Sequence, residues 1–257
     1  MAYAACTSFI HYFSNMSTLV IGDVHGGYAA LLQAMERAVV TPKDTLIFLG
    51  DLVDGWSQSY QTIQYLMELE KQQPCVFILG NHDEWCRQWL ANGQMDATWL
   101  MHGGQATFDS YAQATESDRL AHLNFLERMR FYYVDEQNRL FIHAGYSSMH
   151  GPEREMYKSN YMWDRTLWEM AVCMDSRVKK HSVRYPKRLL LYAEIFIDHT
   201  PTLYLGIGTP MQAINVWNID TGAAFTGALT IMNVDAKQYW QSDRLQQLYP
   251  LEKGRNK

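Results

Sequence analysis

The sequence has no apolar run approaching the roughly 20 residues that span a bilayer, so no membrane segment is expected. It also lacks a basic surplus: 22 lysines and arginines stand against 27 acidic residues, a net charge of −5. That balance argues against general nucleic-acid binding, which usually needs a basic excess. Cysteine is scarce. Cys6, Cys75, Cys86 and Cys173 are scattered without a CxxC pair, so they suggest no disulfide framework and read as small buried hydrophobes in a reducing cytosol. There is no GxSxG elbow and no G-x-x-x-x-G-K-[ST] loop, which removes serine hydrolases and P-loop nucleotidases. The first residues, MAYAACTSFIHYFSNMS, carry no lysine or arginine before their apolar part and no small-residue cleavage site. They make a poor signal peptide; residues 1–15 read as a peripheral extension, and a cytoplasmic location is the default.

What remains is a 257-residue chain that is 47% apolar and 13% aromatic, enough for a sizeable core in one large α/β domain or two small ones. No repeat, low-complexity tract or flexible linker divides it. Short apolar runs at Thr18–Ile21, Thr45–Leu49 and Cys75–Leu79 read as strands. Tyr28–Ala38, Ser57–Lys71 and Glu84–Asn92 show helical spacing. This β-α-β-α-β order implies parallel strands with helical crossovers. Beyond residue 130 the character changes. Phe131–Val134 and Arg139–His143 flank the turn-forming Asp135–Asn138 and predict a hairpin, with further strands at Ile195–Asp198, Asn215–Asp220 and Ala228–Val234. The stretch 97–128 reads as helical, a cap or insertion over the strand ends. Two packed sheets with helices outside follow, as a single domain over 16–240 with a tail at 241–257.

Three of the strands end in short polar loops: Gly22-Asp-Val-His-Gly26, Gly50-Asp-Leu-Val-Asp54 and Gly80-Asn-His-Asp83. Ligands bind beyond the carboxyl ends of strands in open α/β sheets, so these loops should converge. Two later strand ends add His143 and His199. The glycines let the backbone turn sharply beside a ligand. Together the loops offer Asp, Asn and His donors, mixed oxygen and nitrogen ligation that suits borderline divalent ions such as Mn, Fe or Zn; a calcium site would use oxygen alone.

The set GDVHG, GDLVD, GNHD, HAG and HTP resembles the calcineurin-like metallophosphoesterase superfamily, and within it the bacterial and phage branch of the phosphoprotein phosphatases. Trp163-Asp-Arg165 resembles that branch's Trp-x-Arg element, and Asn218–Gly222 with Gly227–Thr230 its last strands; His102–Gly104 through Tyr111 is also similar to bacterial members. The resemblance implies a four-layer α-β-β-α sandwich and two divalent metal ions, manganese first, with iron or zinc as alternatives. It implies that Asp23 and His25 hold the first metal, that Asp51 bridges both, and that Asn81, His143 and His199 complete the second. His82 would face the substrate, with Asp54 keeping its imidazole oriented and protonated. Arg165, together with Asn81, would bind the phosphate. Implied chemistry is in-line attack of a metal-bridging hydroxide on a phosphomonoester, with His82 protonating the leaving alkoxide.

The expected substrate is a phosphoserine or phosphothreonine protein or peptide, with no stable nucleic-acid partner. Dinucleoside polyphosphate or small-nucleotide hydrolysis is the alternative, and a non-catalytic phosphate-binding scaffold a remoter one. Two departures from the pattern matter. Phosphoprotein phosphatases carry GDxVDRG, but Gly55 stands here in place of that phosphate-contacting Arg; Arg154, Lys158 and Arg188 are candidates to replace it. Asp198 precedes His199 where relatives have Gly, and is expected to face solvent rather than tune His199. Asp54 is kept, and favours phosphomonoesters with poor leaving groups. The basic run Arg177–Arg188 reads as a solvated loop, Trp85, Trp89 and Trp99 as core or helix-packing residues, and His11, His102, His122, His150 and His181 as structural or surface residues.

Overall fold

The computed structural model describes residues 16–175 and 177–256; the expected extension 1–15, with Cys6 and His11, lies outside them. The first third alternates as its periodicity demands. β1 (Thr18–Ile21), α1 (Tyr28–Arg37), β2 (Thr45–Phe48), α2 (Ser59–Leu69) and β3 (Cys75–Phe77) follow one another, with β1–β2 and β2–β3 paired in parallel. α1 buries Ala30, Leu31, Ala34 and Met35, one face at helical spacing. α3 (Asn81–Asn92) starts earlier than the spacing at Glu84 suggests. Its first turn is closed by Asp83, whose carboxylate accepts from the Gly80 amide at 3.0 Å. It stops at Gly93, where φ is 71°, a left-handed stop that suits glycine.

α4 (Ala97–Trp99), a wide turn at Leu100–Gly104, α5 (Gln105–Ser110) and α6 (Glu116–Glu127) come next. The part before α6 reaches the strand ends, where Trp99 and Thr107 meet Asp54. α6 packs on α2 and α3 as part of the outer helical layer, so the expected cap over 97–128 is half cap and half scaffold. The predicted hairpin is β4 (Tyr132–Val134) and β5 (Arg139–Ile142), antiparallel. α7 (Asn160–Trp163) and α8 (Thr166–Val172) precede β6 (Glu194–Ile197), β7 (Met211–Ala213), β8 (Val216–Asn218), β9 (Ala228–Asn233), β10 (Tyr239–Arg244) and α9 (Leu245–Leu248).

Two five-stranded sheets result, ordered β10-β9-β1-β2-β3 and β4-β5-β6-β8-β7. They face each other across a layer that includes Val20, Ile47, Ile78, Phe141, Phe196, Ile219 and Met232. α1, α2, α3 and α6 cover the first sheet, and α7 and α8 cover the second. This is the expected four-layer α-β-β-α sandwich. The boundary at residue 240 needs correction: β10 runs through it and pairs with β9, so 241–257 is not a peripheral tail. Among the described cysteines Cys86 is buried and Cys75 partly so, but Cys173 is exposed, contrary to its reading as a buried hydrophobe; all three are free thiols.

Candidate metal centre and active site

The loops after β1 and β2 are stitched together by their backbones, and the loop after β3 is tied to the second through the Asp51 and Asp83 carboxylates. The amides of Val24 and His25 both donate to the Asp51 carbonyl, at 3.0 and 2.8 Å, and Gly26 N donates to Leu52 O at 2.9 Å. From the second sheet, His143 O accepts from Asp198 N at 2.8 Å. These ties force unusual backbone. His25, Asp51, Asp54 and His199 have φ of 52°, 48°, 74° and 71°, the left-handed region that non-glycine residues seldom occupy. Such strain concentrates at functional sites, where the surrounding bonds over-determine it. Gly80 permits a close approach: a Cβ there would lie 2.2 Å from Asp51 Oδ1.

Asp23, His25, Asp51, Asn81, His143 and His199 meet at this edge, all buried. His25 Nε2 lies 3.5 Å from Asp23 Oδ2 and 3.6 Å from Asp51 Oδ2. His143 Nε2 lies 3.5 Å from Asp51 Oδ2 and 3.3 Å from Asn81 Oδ1. The far ring nitrogens are spoken for: His25 Nδ1 donates to the carbonyls of Val53 and Asp54 at 3.2 and 3.1 Å, and His143 Nδ1 to Leu49 O at 2.9 Å. These partners assign the tautomers and leave each Nε2 lone pair facing the carboxylates, as a metal-binding imidazole requires. Asp23 Oδ1 and His199 Nε2 are buried with no hydrogen-bond partner. Buried polar atoms are rarely left so, and here both orphans are potential ligand atoms. Asp51 is common to two of the groups whose donor atoms lie within 4.8 Å of one another, His25-Asp51-His82 and Asp51-His143-His199. The residues therefore fit divalent cations.

The sequence matches the pattern of the calcineurin-like phosphoesterases over residues 16–215. The chain belongs to that family. As such it is a metal-dependent hydrolase of phosphate esters. It is 27% identical over 229 residues to an asymmetrical bis(5′-nucleosyl)-tetraphosphatase of Anoxybacillus flavithermus, covering 83% of this chain and 88% of that one. It is 26% identical over 226 residues to serine/threonine-protein phosphatase 1 of Salmonella typhimurium, covering 84% and 90%. Among solved structures, a protein serine/threonine phosphatase of Saccharomyces cerevisiae superposes with a TM-score of 0.60 at 14% identity, covering 91% of this chain and 81% of that one.

In this phosphoesterase His82 stands beside the candidate metal ligands, its ring in edge contact with His25 at 4.9 Å. Its Nδ1 donates to Asp54 Oδ2 at 2.6 Å. Asp54 also accepts from Trp99 Nε1 at 2.7 Å and Thr107 Oγ1 at 2.6 Å. Burial pushes the Asp54 carboxyl well up; those hydrogen bonds oppose it. Burial first, then the charge of Arg255 and the surrounding imidazoles, holds His82 well below the usual histidine range. Burial thus disfavours the charged form of this ring. Burial, then the Asp51 charge, pushes the Asp83 carboxyl up to about 7 even though it accepts from the amides of Gly80 and Leu52.

Arg165 and Asn81 line a cavity of about 190 Å³ together with Asp23, His25, His82 and His199. Some sequence readings change at this phosphoesterase's site. Asp198 faces inward, 1% exposed and with both carboxylate oxygens unpartnered. It groups with Asp23 and Asp220; burial and then the Asp23 charge push both Asp198 and Asp220 well above the carboxylate range. His102, read as structural or surface, lines the cavity, and Trp85, which packs against the core as its reading expects, lines it too, the two rings stacked at 6.1 Å. Trp99 is buried, as its reading as core expects, but its indole also serves Asp54. The basic run 177–188 lines neither this cavity nor the larger groove of about 1050 Å³ adjoining it. Sequence reasoning assigned nothing to Thr107, Asp220 or Arg255. Asp220 lies in the IDTG segment of the final strands, but no spacing points to the other two.

Proposed function

We propose that this phosphoesterase is a serine/threonine protein phosphatase working with two divalent ions, manganese by preference. The observation that carries the reading is the 2.6 Å pair of His82 and Asp54 at the edge of the candidate ligand cluster. Such a pair is most useful where the leaving group is a poor alkoxide that needs a proton as the bond breaks. Asp23, His25, Asp51, Asn81, His143 and His199 would hold the ions, which supply positive charge to the phosphate and an activated water. Arg165 and Asn81 bind phosphate oxygens. Asp54 holds the His82 ring by Nδ1, so Nε2 is the nitrogen left to serve the substrate. An incoming phosphate dianion offsets the burial that keeps the ring neutral, and Nε2 can then carry the proton that goes to the seryl or threonyl oxygen.

The likeness to the A. flavithermus tetraphosphatase supports a second reading, hydrolysis of dinucleoside polyphosphates. The two are separated by steady-state rates on a phosphothreonine peptide and on diadenosine tetraphosphate with added Mn²⁺. The phosphatase reading expects a preference for the peptide of about 100-fold in kcat/KM, some 2.7 kcal/mol. The reverse preference would reassign the enzyme to nucleotides. His82→Asn should slow the peptide about 100-fold or more while p-nitrophenyl phosphate, whose leaving group needs no proton, loses less than about tenfold. Equal losses on both substrates would remove His82 as the acid.

A further inference from the structure

Gly55 leaves open the space beside the second loop, and an arginine distant in sequence runs through it. A Cβ built on Gly55 would lie 3.3 Å from Arg255 Cγ; one on Gly103 would lie 3.1 Å from the same atom and 2.7 Å from Gly55 N. Gly55 N donates to Gly103 O at 3.0 Å, so the two glycines together form a slot just wide enough for an arginine stem.

The segment that carries Arg255 is held in place on both sides. Gly254 has a φ of 57°, and a Cβ there would lie 2.6 Å from Trp56 Cζ2 and 2.8 Å from Ala224 O. Arg255 N donates to Ala224 O at 2.8 Å. Glu252 accepts from Ser57 N and Ser57 Oγ at 2.9 and 2.7 Å.

The guanidinium lies over the Phe225 ring, 5.2 Å from its centroid, and Arg255 lines the cavity that holds His82 and His199. Its Nε is buried without a partner. Among the described residues no carboxylate forms an ion pair with this half-buried arginine. The other candidates are placed elsewhere. Arg188 Nη1 is engaged by Tyr146 O at 2.6 Å and Thr166 Oγ1 at 3.0 Å, Lys158 sits over Phe131 at 5.3 Å, and Arg154 lines neither cavity.

We propose that Arg255 is a phosphate-binding residue of this site, its guanidinium supplying from a distant segment the cation that Gly55 lacks. The inference rests on the phosphate-ester reading of the site and adds a second arginine beside Arg165. A planar guanidinium suits phosphate because it offers parallel N–H donors to two oxygens.

The test uses the Mn²⁺-loaded full chain with Arg255→Met, which keeps the stem in its slot, and Arg255→Gln, which is shorter and uncharged. Calorimetry gives the Kd of inorganic phosphate, kinetics give KM and kcat on p-nitrophenyl phosphate, and metal content and Tm are measured alongside. Phosphate binding is expected to weaken about 10–100-fold, with KM rising in step and metal content unchanged. A folded variant of either kind that binds phosphate within about twofold of wild type overturns the inference while leaving the phosphoesterase reading intact. A wild type that neither binds phosphate nor turns over the ester overturns both.

Discussion

Gly80 touches the chemistry without taking part in it. With 2.2 Å between its hypothetical Cβ and Asp51 Oδ1, Gly80→Ala must displace the carboxylate that both donor groups share. Loss of bound metal, measured by elemental analysis, and a fall in kcat/KM of roughly 100-fold or more are expected, since small displacements of reacting groups cost that much. Retained metal and activity would show that the loop relaxes. The six candidate ligands and His82 were legible because each follows an apolar strand in a short polar loop, most of them marked by glycine. Asp198 was not: the same strand-end position allows a carboxylate to face out or in, and only the packing against Asp23 and Asp220 decides.

At the scale of elements, α6 carries a buried histidine that links it to its neighbours. His122 Nε2 donates to Gln64 Oε1 on α2 at 3.1 Å, and Nδ1 accepts from Tyr111 OH at 2.7 Å. Burial lowers its pKa to about 4, against roughly 6.5 in an unfolded chain. The unfolded state therefore binds a proton first as pH falls. Stability from this group is full above about pH 6.5 and is lost between there and pH 4, by at most about 3 kcal/mol. In the metal-free protein, His122→Gln should flatten the slope of Tm against pH across that window; an unchanged slope would place the acid sensitivity elsewhere. Such element contacts are only partly visible in sequence. The helices and parallel strands of the first third announced themselves by period, whereas β10 did not, because Tyr239–Arg244 is an edge strand of polar, partly exposed side chains.

For the molecule as a whole, the two sheets bring carboxylates together that repel when ionised. Burial raises Asp23, Asp198 and Asp220 alike; the Asp51 charge adds to it for Asp23, and the Asp23 charge for the other two. A carboxyl raised in the folded state destabilises the fold above its unfolded pKa, and the penalty eases as pH falls through the folded value. Metal-free protein at neutral pH should therefore melt below the Mn²⁺-loaded form, by a margin that grows with ion concentration. Asp198→Asn should raise the metal-free Tm, by roughly 2–4 °C for each kcal/mol relieved, and narrow the gap between the two forms. A lower metal-free Tm in that variant would mean that the carboxylate is held by partners rather than strained.

Order of synthesis gives the docking of residues 249–256 a further meaning. A ribosome delivers Asp23 early, His199 much later, and Arg255 only after the strands of both sheets have been made. A nascent chain thus holds every candidate cation ligand before its second arginine exists. The grip on an ester that Arg255 would add is complete only once Gly254 has docked against Trp56 and Ala224.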